Sequence, residues 1–220
     1  EFYSEAAIDP VASFLHLNAI SEAPFAAFFK NETQYALCSS PERFLTKRGT
    51  QLISQPIKGT APRSLNATED AFLARQLATD SKERTENIMI TDLVRNDLSK
   101  KALKGSVRVE ELCKVYSFKQ VHQMISTISA QVDADEDPVA LIKMAFPMGS
   151  MTGAPKVSAM NIIEQLENHK RGLYSGSIGY FEPNGDFDFN VMIRSILYNA
   201  AKPYVSFSVG SAITAQALPE

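Results

Sequence analysis

Ser81-Lys82-Glu83-Arg84-Thr85-Glu86-Asn87-Ile88-Met89-Ile90-Thr91-Asp92-Leu93-Val94-Arg95-Asn96-Asp97-Leu98 is the stretch on which the fold class turns. Glu83, Glu86, Ile90, Leu93 and Asp97 recur at i, i+3, i+7, i+10 and i+14, one stripe of a 3.6-residue helix, and Asp80 or Ser81 can cap its start. A shorter helix is expected just before it, over 69–77, and strands before that at 35–39, 43–46 and 51–55. After it come strand signals at 106–109, 112–118 and 121–132, the last alternating as a half-buried strand does. A long helix set between two β-rich regions, with no repeat and no low-complexity linker, predicts one α+β unit over residues 1–220.

The rest of the chain continues the mixture. Asp137-Pro138 opens a short helix that should end at Phe146-Pro147, and 148–155 is a glycine-rich loop with Pro155 placed as the first residue of a helix reaching Glu167. Asn184-Gly185 is a strong hairpin signal between strands over 176–182 and 187–198, and a further strand is expected at 203–209.

Composition narrows the function classes. At 220 residues and 45% apolar content the chain can bury a sizeable core. No apolar run approaches the roughly 18 residues of a membrane helix, and no basic segment followed by an apolar run opens the chain, so a cytoplasmic protein without a membrane partner is expected. Cys38 and Cys113 stand far apart with no metal-type spacing and read as reduced core thiols. A net charge of −3 without a basic block argues against nucleic acid as partner. An anionic ligand would then be held by a few placed cations and backbone amides.

Several residues carry possible chemistry, each beside a plainer reading. Glu83 and Glu86 share a helix face with Ile90 and Leu93, which suits either a magnesium ion bound through few protein oxygens or a solvated acidic pair in the first turn. Lys58 follows a predicted strand in a loop with Gly59 and Thr60, as a nucleophile or as a surface lysine in a turn. Glu42, at the Ser39-Ser40-Pro41-Glu42 connection, is a general acid or a turn glutamate. His122 shares a strand side with Met124 and Ile128, so it should be buried, as catalyst or as hydrogen-bonded core; His16 and His169 read as surface residues. The loop from Gly149 to Lys156, which precedes a helix, offers donors to an anion, although its spacing is not that of a Walker loop. Arg194, read as mid-strand beside Asp188, Asn190 and Met192, is either structurally paired or holds a carboxylate.

Taken in order, Ser40-Pro41-Glu42-Arg43-Phe44, Pro56-Ile57-Lys58-Gly59-Thr60, Lys82 to Asn87, Asp92 to Asp97, Gly105-Ser106-Val107, Gly149 to Lys156, Arg171 to Tyr174 and Gly176 to Phe181 resemble one family. It is that of the chorismate-binding enzymes, which comprises anthranilate, aminodeoxychorismate, isochorismate and salicylate synthases. The resemblance implies an α+β fold of two large, mostly antiparallel β-sheets packed together with helices outside. It implies that Glu86 binds magnesium with Glu83 beside it, that Tyr174 and Arg194 hold the enolpyruvyl carboxylate of chorismate, that Gly59 and Thr60 line the pocket, and that His122 is the active-site histidine. Gly210 and Ala212, in a run that is usually Gly-Ala-Gly, would offer amides to the same carboxylate. Glu42 matches a general acid for the C4 hydroxyl, and Lys58 stands where anthranilate synthases typically carry alanine and aminodeoxychorismate synthases carry lysine.

The implied reaction is attack of neutral Lys58 on C2, loss of the C4 hydroxyl, and addition of ammonia at C4, with ammonia from a glutamine amidotransferase because no glutaminase nucleophile is evident here. Ala61 stands where an arginine is usual, and nothing in the sequence accounts for it. The family's first strands and its last helix, which carries a second magnesium glutamate, have no counterpart within residues 1–220. Anthranilate or isochorismate/salicylate synthesis, and a non-catalytic scaffold that binds an amidotransferase, are the competing readings.

Overall fold

The computed structural model describes residues 1–213. In chain order the elements are β1 (Phe2–Ser4), α1 (Pro10–Ser21), β2 (Phe25–Asn31), β3 (Gln34–Ser40), β4 (Arg43–Arg48), β5 (Gln51–Gln55) and β6 (Ile57–Pro62). Two consecutive helices follow, α2 (Ala67–Thr79) and α3 (Ser81–Ser99), then the long hairpin β7 (Arg108–Ser117) and β8 (Val121–Gln131). The last part holds α4 (Pro138–Ala145), a single 3-10 turn (Gly149–Met151), α5 (Lys156–Leu166), β9 (Gly179–Phe181), β10 (Phe187–Asn190), β11 (Ser195–Asn199) and β12 (Tyr204–Phe207).

Local chemistry explains the boundaries. Asp80 caps α3 by accepting the Glu83 N–H at 2.9 Å, and Asn66 caps α2 through the N–H groups of Thr68 and Glu69. Asp137 caps α4, whose first residue is Pro138, where a missing N–H costs nothing. Pro155, expected as the first residue of α5, instead caps it. The 106–109 and 112–118 segments form one strand, β7, with Cys113 in the left-handed region at φ 55° where the register slips.

The strands form two sheets, and every pairing is antiparallel. The smaller runs β1-β12-β11-β3-β2. In the larger, β8 pairs with β7 along one side and, along the other, with β5 over its C-terminal half and β6 over its N-terminal half; β4, β10 and β9 continue beyond β5. Helix α3 packs its Ile90, Val94 and Leu98 onto one face of the larger sheet, against Leu45, Leu52, Ile128 and Phe187, and Leu141 and Ala145 of α4 close the same core. The α+β expectation of two antiparallel sheets with helices therefore holds.

One segment expected to be continuous is broken where the sheets meet. The predicted strand 187–198 divides at Val191 to Arg194, so that β10 belongs to the larger sheet and β11 to the smaller. The same change of sheet occurs between β3 and β4 at Pro41-Glu42. The two crossings lie side by side: Ser39 N–H donates to Arg194 O at 3.1 Å and Val191 N–H to Glu42 O at 3.0 Å. Arg43 braces this seam, bidentate to Asp188 with both bonds at 3.0 Å, bonded to Gln55 at 2.8 Å, and stacked 4.8 Å above the Phe25 ring.

Phe187 is fully buried among Phe181 and Phe189 in edge-to-face contact. Replacing it with alanine should cost about 3–5 kcal/mol in urea unfolding, since both transfer and cavity terms apply. A loss below about 1 kcal/mol would contradict this placement of the core.

Candidate functional site

Glu42 occupies the seam, where the chain bends from one sheet into the other and its carboxyl is turned inward, 4% exposed. Burial pushes this carboxyl up to about 7. The Ser150 hydroxyl, the Lys58 ammonium, the Ile57 amide and the Arg194 guanidinium all face it and favour the charged form, but desolvation outweighs them. A cavity of about 20 Å³ beside it, lined by Ser54, Val94, Met148 and Ser150 among others, has room for about one water and no more. The Ser150 hydroxyl is itself buried and without a hydrogen-bond partner among the described residues.

Lys58 lies on β6, not in the loop expected from its Pro/Gly surroundings. The register of β6 against β8 slips between Ile57 and Thr60, and Gly59 takes φ +99° in the slip, a conformation side chains other than glycine's resist. A Cβ at Gly59 would come within 3.1 Å of Met124 Cβ and 3.3 Å of Glu83 Cβ, so only glycine lets the strand lie this close to α3. The bulge re-aims Lys58, which is half-buried; among the described residues no ion pair or hydrogen bond ties its ammonium. Glu42 and Glu83 both feel its charge.

Glu83 and Glu86 emerge one turn apart at the start of α3, with Glu86 the more buried. Burial and the neighbouring Glu86 charge raise the Glu83 carboxyl above its ordinary value, and Lys82 reaches 3.9 Å from Glu86 without bonding it closely. Two close carboxylates that repel each other suit a hard divalent cation such as magnesium, which takes one or two protein carboxylates and completes its shell from water or an anionic ligand. No group of three or more acidic, histidine or cysteine side chains placed to hold a metal ion is found among the described residues, and Glu83 and Glu86 are the pair that could meet such an ion.

Tyr174 and Gly210 are brought together across the smaller sheet's end: a Cβ at Gly210 would stand 2.7 Å from the Tyr174 hydroxyl. Burial pushes the Tyr174 phenol above its usual value. Ala212 follows Gly210 in irregular, exposed chain. Arg194 is not mid-strand; it sits in the crossover at φ 52°, exposed, and its expected neighbour Asp188 is committed to Arg43 instead. Thr60 is exposed on β6 opposite Gln123.

Two of the residues singled out in the sequence have their polar atoms engaged by the protein itself. His122 is 1% exposed and points toward α2, where Nδ1 lies 2.8 Å from Ser117 Oγ and Nε2 lies 3.0 Å from Asp70 Oδ1. Asp70 is also gripped by Arg63 and the Ser64 amide, which hold its carboxyl far below the usual range. Both ring nitrogens are thus engaged, and the histidine ties β8 to α2. Lys156 likewise has its three donors taken, by Asp97, by Ala145 O at 3.0 Å and by Pro147 O at 2.6 Å, leaving none for an anion. It staples α3 to the loop that carries Ser150.

Sequence reasoning passed over Gln123 and Asn87. Gln123, next to His122, alternates to the opposite face and is buried with Oε1 unpartnered among the described residues. Asn87 is 1% exposed, and the signal that could have found it is its place on the stripe Asn87, Ile90, Val94 and Leu98.

The raised Glu42 carboxyl has a thermodynamic consequence. Because the folded protein holds this proton more tightly than the unfolded chain, with its ordinary value of 4.5, the stabilisation is complete below about pH 4.5 and is lost as pH rises through about 7. Glu42→Gln should therefore gain stability relative to the parent between pH 5 and pH 8, by on the order of 3 kcal/mol at the upper end, in urea titrations at the two pH values. A stability difference that stays constant with pH would contradict a neutral buried carboxyl.

The geometry has counterparts in known proteins. The family described as chorismate binding enzyme matches residues 1–220. Aminodeoxychorismate synthase from Streptomyces griseus is 45% identical over 213 residues, 96% of this chain and 29% of that protein. Aminodeoxychorismate synthase component 1 from Escherichia coli strain K12 is 42% identical over 219 residues, covering 100% of this chain and 48% of its own length. The crystal structure of anthranilate synthase component I from Streptococcus pneumoniae TIGR4 superposes with a TM-score of 0.82 at 29% identity, over 92% of this chain and 45% of that one. The chain thus spans about half or less of the length of these relatives. With a family match along its whole length, the chain belongs to the chorismate-binding enzymes.

Proposed function

We propose that this protein aminates chorismate at C4, as an aminodeoxychorismate synthase component using ammonia from a separate glutamine amidotransferase, in the cytoplasm and toward 4-aminobenzoate and folate. The observation that carries the reading is the buried Glu42 carboxyl, held near pH 7 at the seam with the Lys58 ammonium facing it. A carboxyl with that value can give a proton at neutral pH, and Lys58 is the amine beside it in the role of nucleophile. The identity to proteins named aminodeoxychorismate synthase supports the C4 assignment, as does a lysine at position 58.

In this mechanism Lys58 Nζ attacks C2 while Glu42 gives its proton to the C4 hydroxyl, which leaves as water. Ammonia then adds at C4, the bond to Lys58 breaks to restore it as the amine, and the proton shed by the added nitrogen returns to the Glu42 carboxylate. Arg194, Tyr174 and the Gly210 and Ala212 amides hold the enolpyruvyl carboxylate, and Gly59 and Thr60 border the ring. Glu83 and Glu86 would hold Mg2+, whose charge offsets that of the ring carboxylate.

Incubation of the full-length protein with chorismate, Mg2+ and ammonium, with the product identified by mass spectrometry, tests the reading. Aminodeoxychorismate is expected; anthranilate or isochorismate overturns the C4 assignment, and no product favours a scaffold that binds an amidotransferase. Lys58→Ala should lose about 10²-fold or more in kcat. Full activity in that variant removes the covalent step.

A further inference from the structure

The bulge at Lys58 and Gly59 takes the Lys58 carbonyl out of the ladder with β8. A buried carbonyl left this way needs a donor, and Asn87 supplies it: Nδ2 donates to Lys58 O at 3.1 Å and to Met124 O at 3.0 Å. Asn87 is the residue after Glu86 on α3 and is itself 1% exposed. Its other end is equally occupied. Oδ1 accepts from Ser126 Oγ in a short hydrogen bond and from Cys113 Sγ at 3.6 Å, while the Ser126 hydroxyl accepts the Cys113 N–H at 2.9 Å. That N–H is free to turn inward because Cys113 is the left-handed residue of the β7 bulge. Donors therefore face Oδ1 and carbonyls face Nδ2, so the amide has one orientation, and four segments meet on one side chain: α3, β6, β7 and β8.

We propose that Asn87 is a positioning residue for Lys58: its carboxamide fixes the peptide of the nucleophilic lysine relative to the Glu83 and Glu86 carboxylates on the same helix. This rests on the reading of Lys58 as the nucleophile. The residue touches no reacting atom. Its effect is to hold the lysine strand at a set height against the helix, at the point where Gly59 removes the last side chain between them. Aspartate in its place would set a carboxylate oxygen against two carbonyls and open that spacing.

The test uses the full-length protein and the variants Asn87→Asp and Ser126→Ala. Two quantities are read: the rate at which trinitrobenzenesulfonate labels Lys58 relative to exposed Lys104, by peptide mass spectrometry without substrate, and kcat against KM with chorismate. For folded Asn87→Asp the labelling ratio is expected to change several-fold and kcat to fall about 10²-fold, with KM within about 3-fold. Ser126→Ala removes the donor behind Oδ1, together with the acceptor of the Cys113 N–H, and should move both readouts the same way, by about 10-fold in kcat. If Asn87→Asp does not fold, Ser126→Ala decides alone. An unchanged labelling ratio and kcat in folded variants overturns the inference. Because labelling needs no turnover, it stands apart from the product assay: a different product from chorismate refutes the proposed reaction and leaves the positioning of Lys58 to the labelling result.

Discussion

Two pairs of neighbouring chain segments leave one sheet for the other at the same level, and the Glu42 carboxyl is buried where they do so. That crossing constrains everything nearby. The backbone there is tied across by Ser39 to Arg194 and Val191 to Glu42, so neither segment can slide without the other. Arg43 and Asp188 lock the larger sheet's side of the seam with a bidentate pair, which leaves Arg194 as the cation on its open side. A carboxyl buried in this seam has its proton affinity raised because desolvation outweighs the Ser150, Lys58, Ile57 and Arg194 groups that favour its charged form.

Around the seam, function-bearing side chains come from places where regular structure fails locally. Lys58 and Gly59 occupy the slip of β6, Arg194 the left-handed crossover residue, and Ser150 a single 3-10 turn. Each irregularity frees backbone polar groups that must be satisfied, and buried side chains from the helices answer them: Asn87 for Lys58, Lys156 for the carbonyls of Ala145 and Pro147. Helix α3 is the common support, since its inward stripe carries Glu86, Asn87 and Asp97 beside Ile90, Val94 and Leu98. The apolar residues bind the helix to the sheet, and the polar ones set what lies at its margin.

Much of this architecture was legible because period and caps agree. The stripe of α3, the cap at Asp80, strand β5 and the burial of His122 all emerge from residue spacing, whereas β8, which the alternation predicts to be half-buried, is largely buried on both faces. What escaped has physical causes. Helix α1 lacks an apolar stripe distinct from its other faces, with no buried residue, and β2 is an edge strand whose Phe28 and Phe29 are both exposed, so neither shows a one-sided pattern. Lys58 was read as loop because its Pro and Gly neighbours mark a bulge as readily as a turn. The 187–198 segment reads as one strand because a change of sheet leaves no mark on a period of two. His122, an active-site histidine by resemblance, and Lys156, in the loop read as offering donors to an anion, are bonded to Asp70 and Asp97, partners distant in sequence. Such claims are visible only once the chain is folded.

The central claim is that Lys58, carried on the β6 bulge, forms a covalent bond during turnover. It is tested most directly by holding the full-length protein with chorismate and Mg2+ without ammonia, quenching in acid, and mapping peptides by mass spectrometry. The account predicts a mass gain of one chorismate less one water on the peptide that contains Lys58, reversed when ammonium is added before the quench. An unmodified Lys58 in protein that goes on to make aminated product under the same conditions would contradict it.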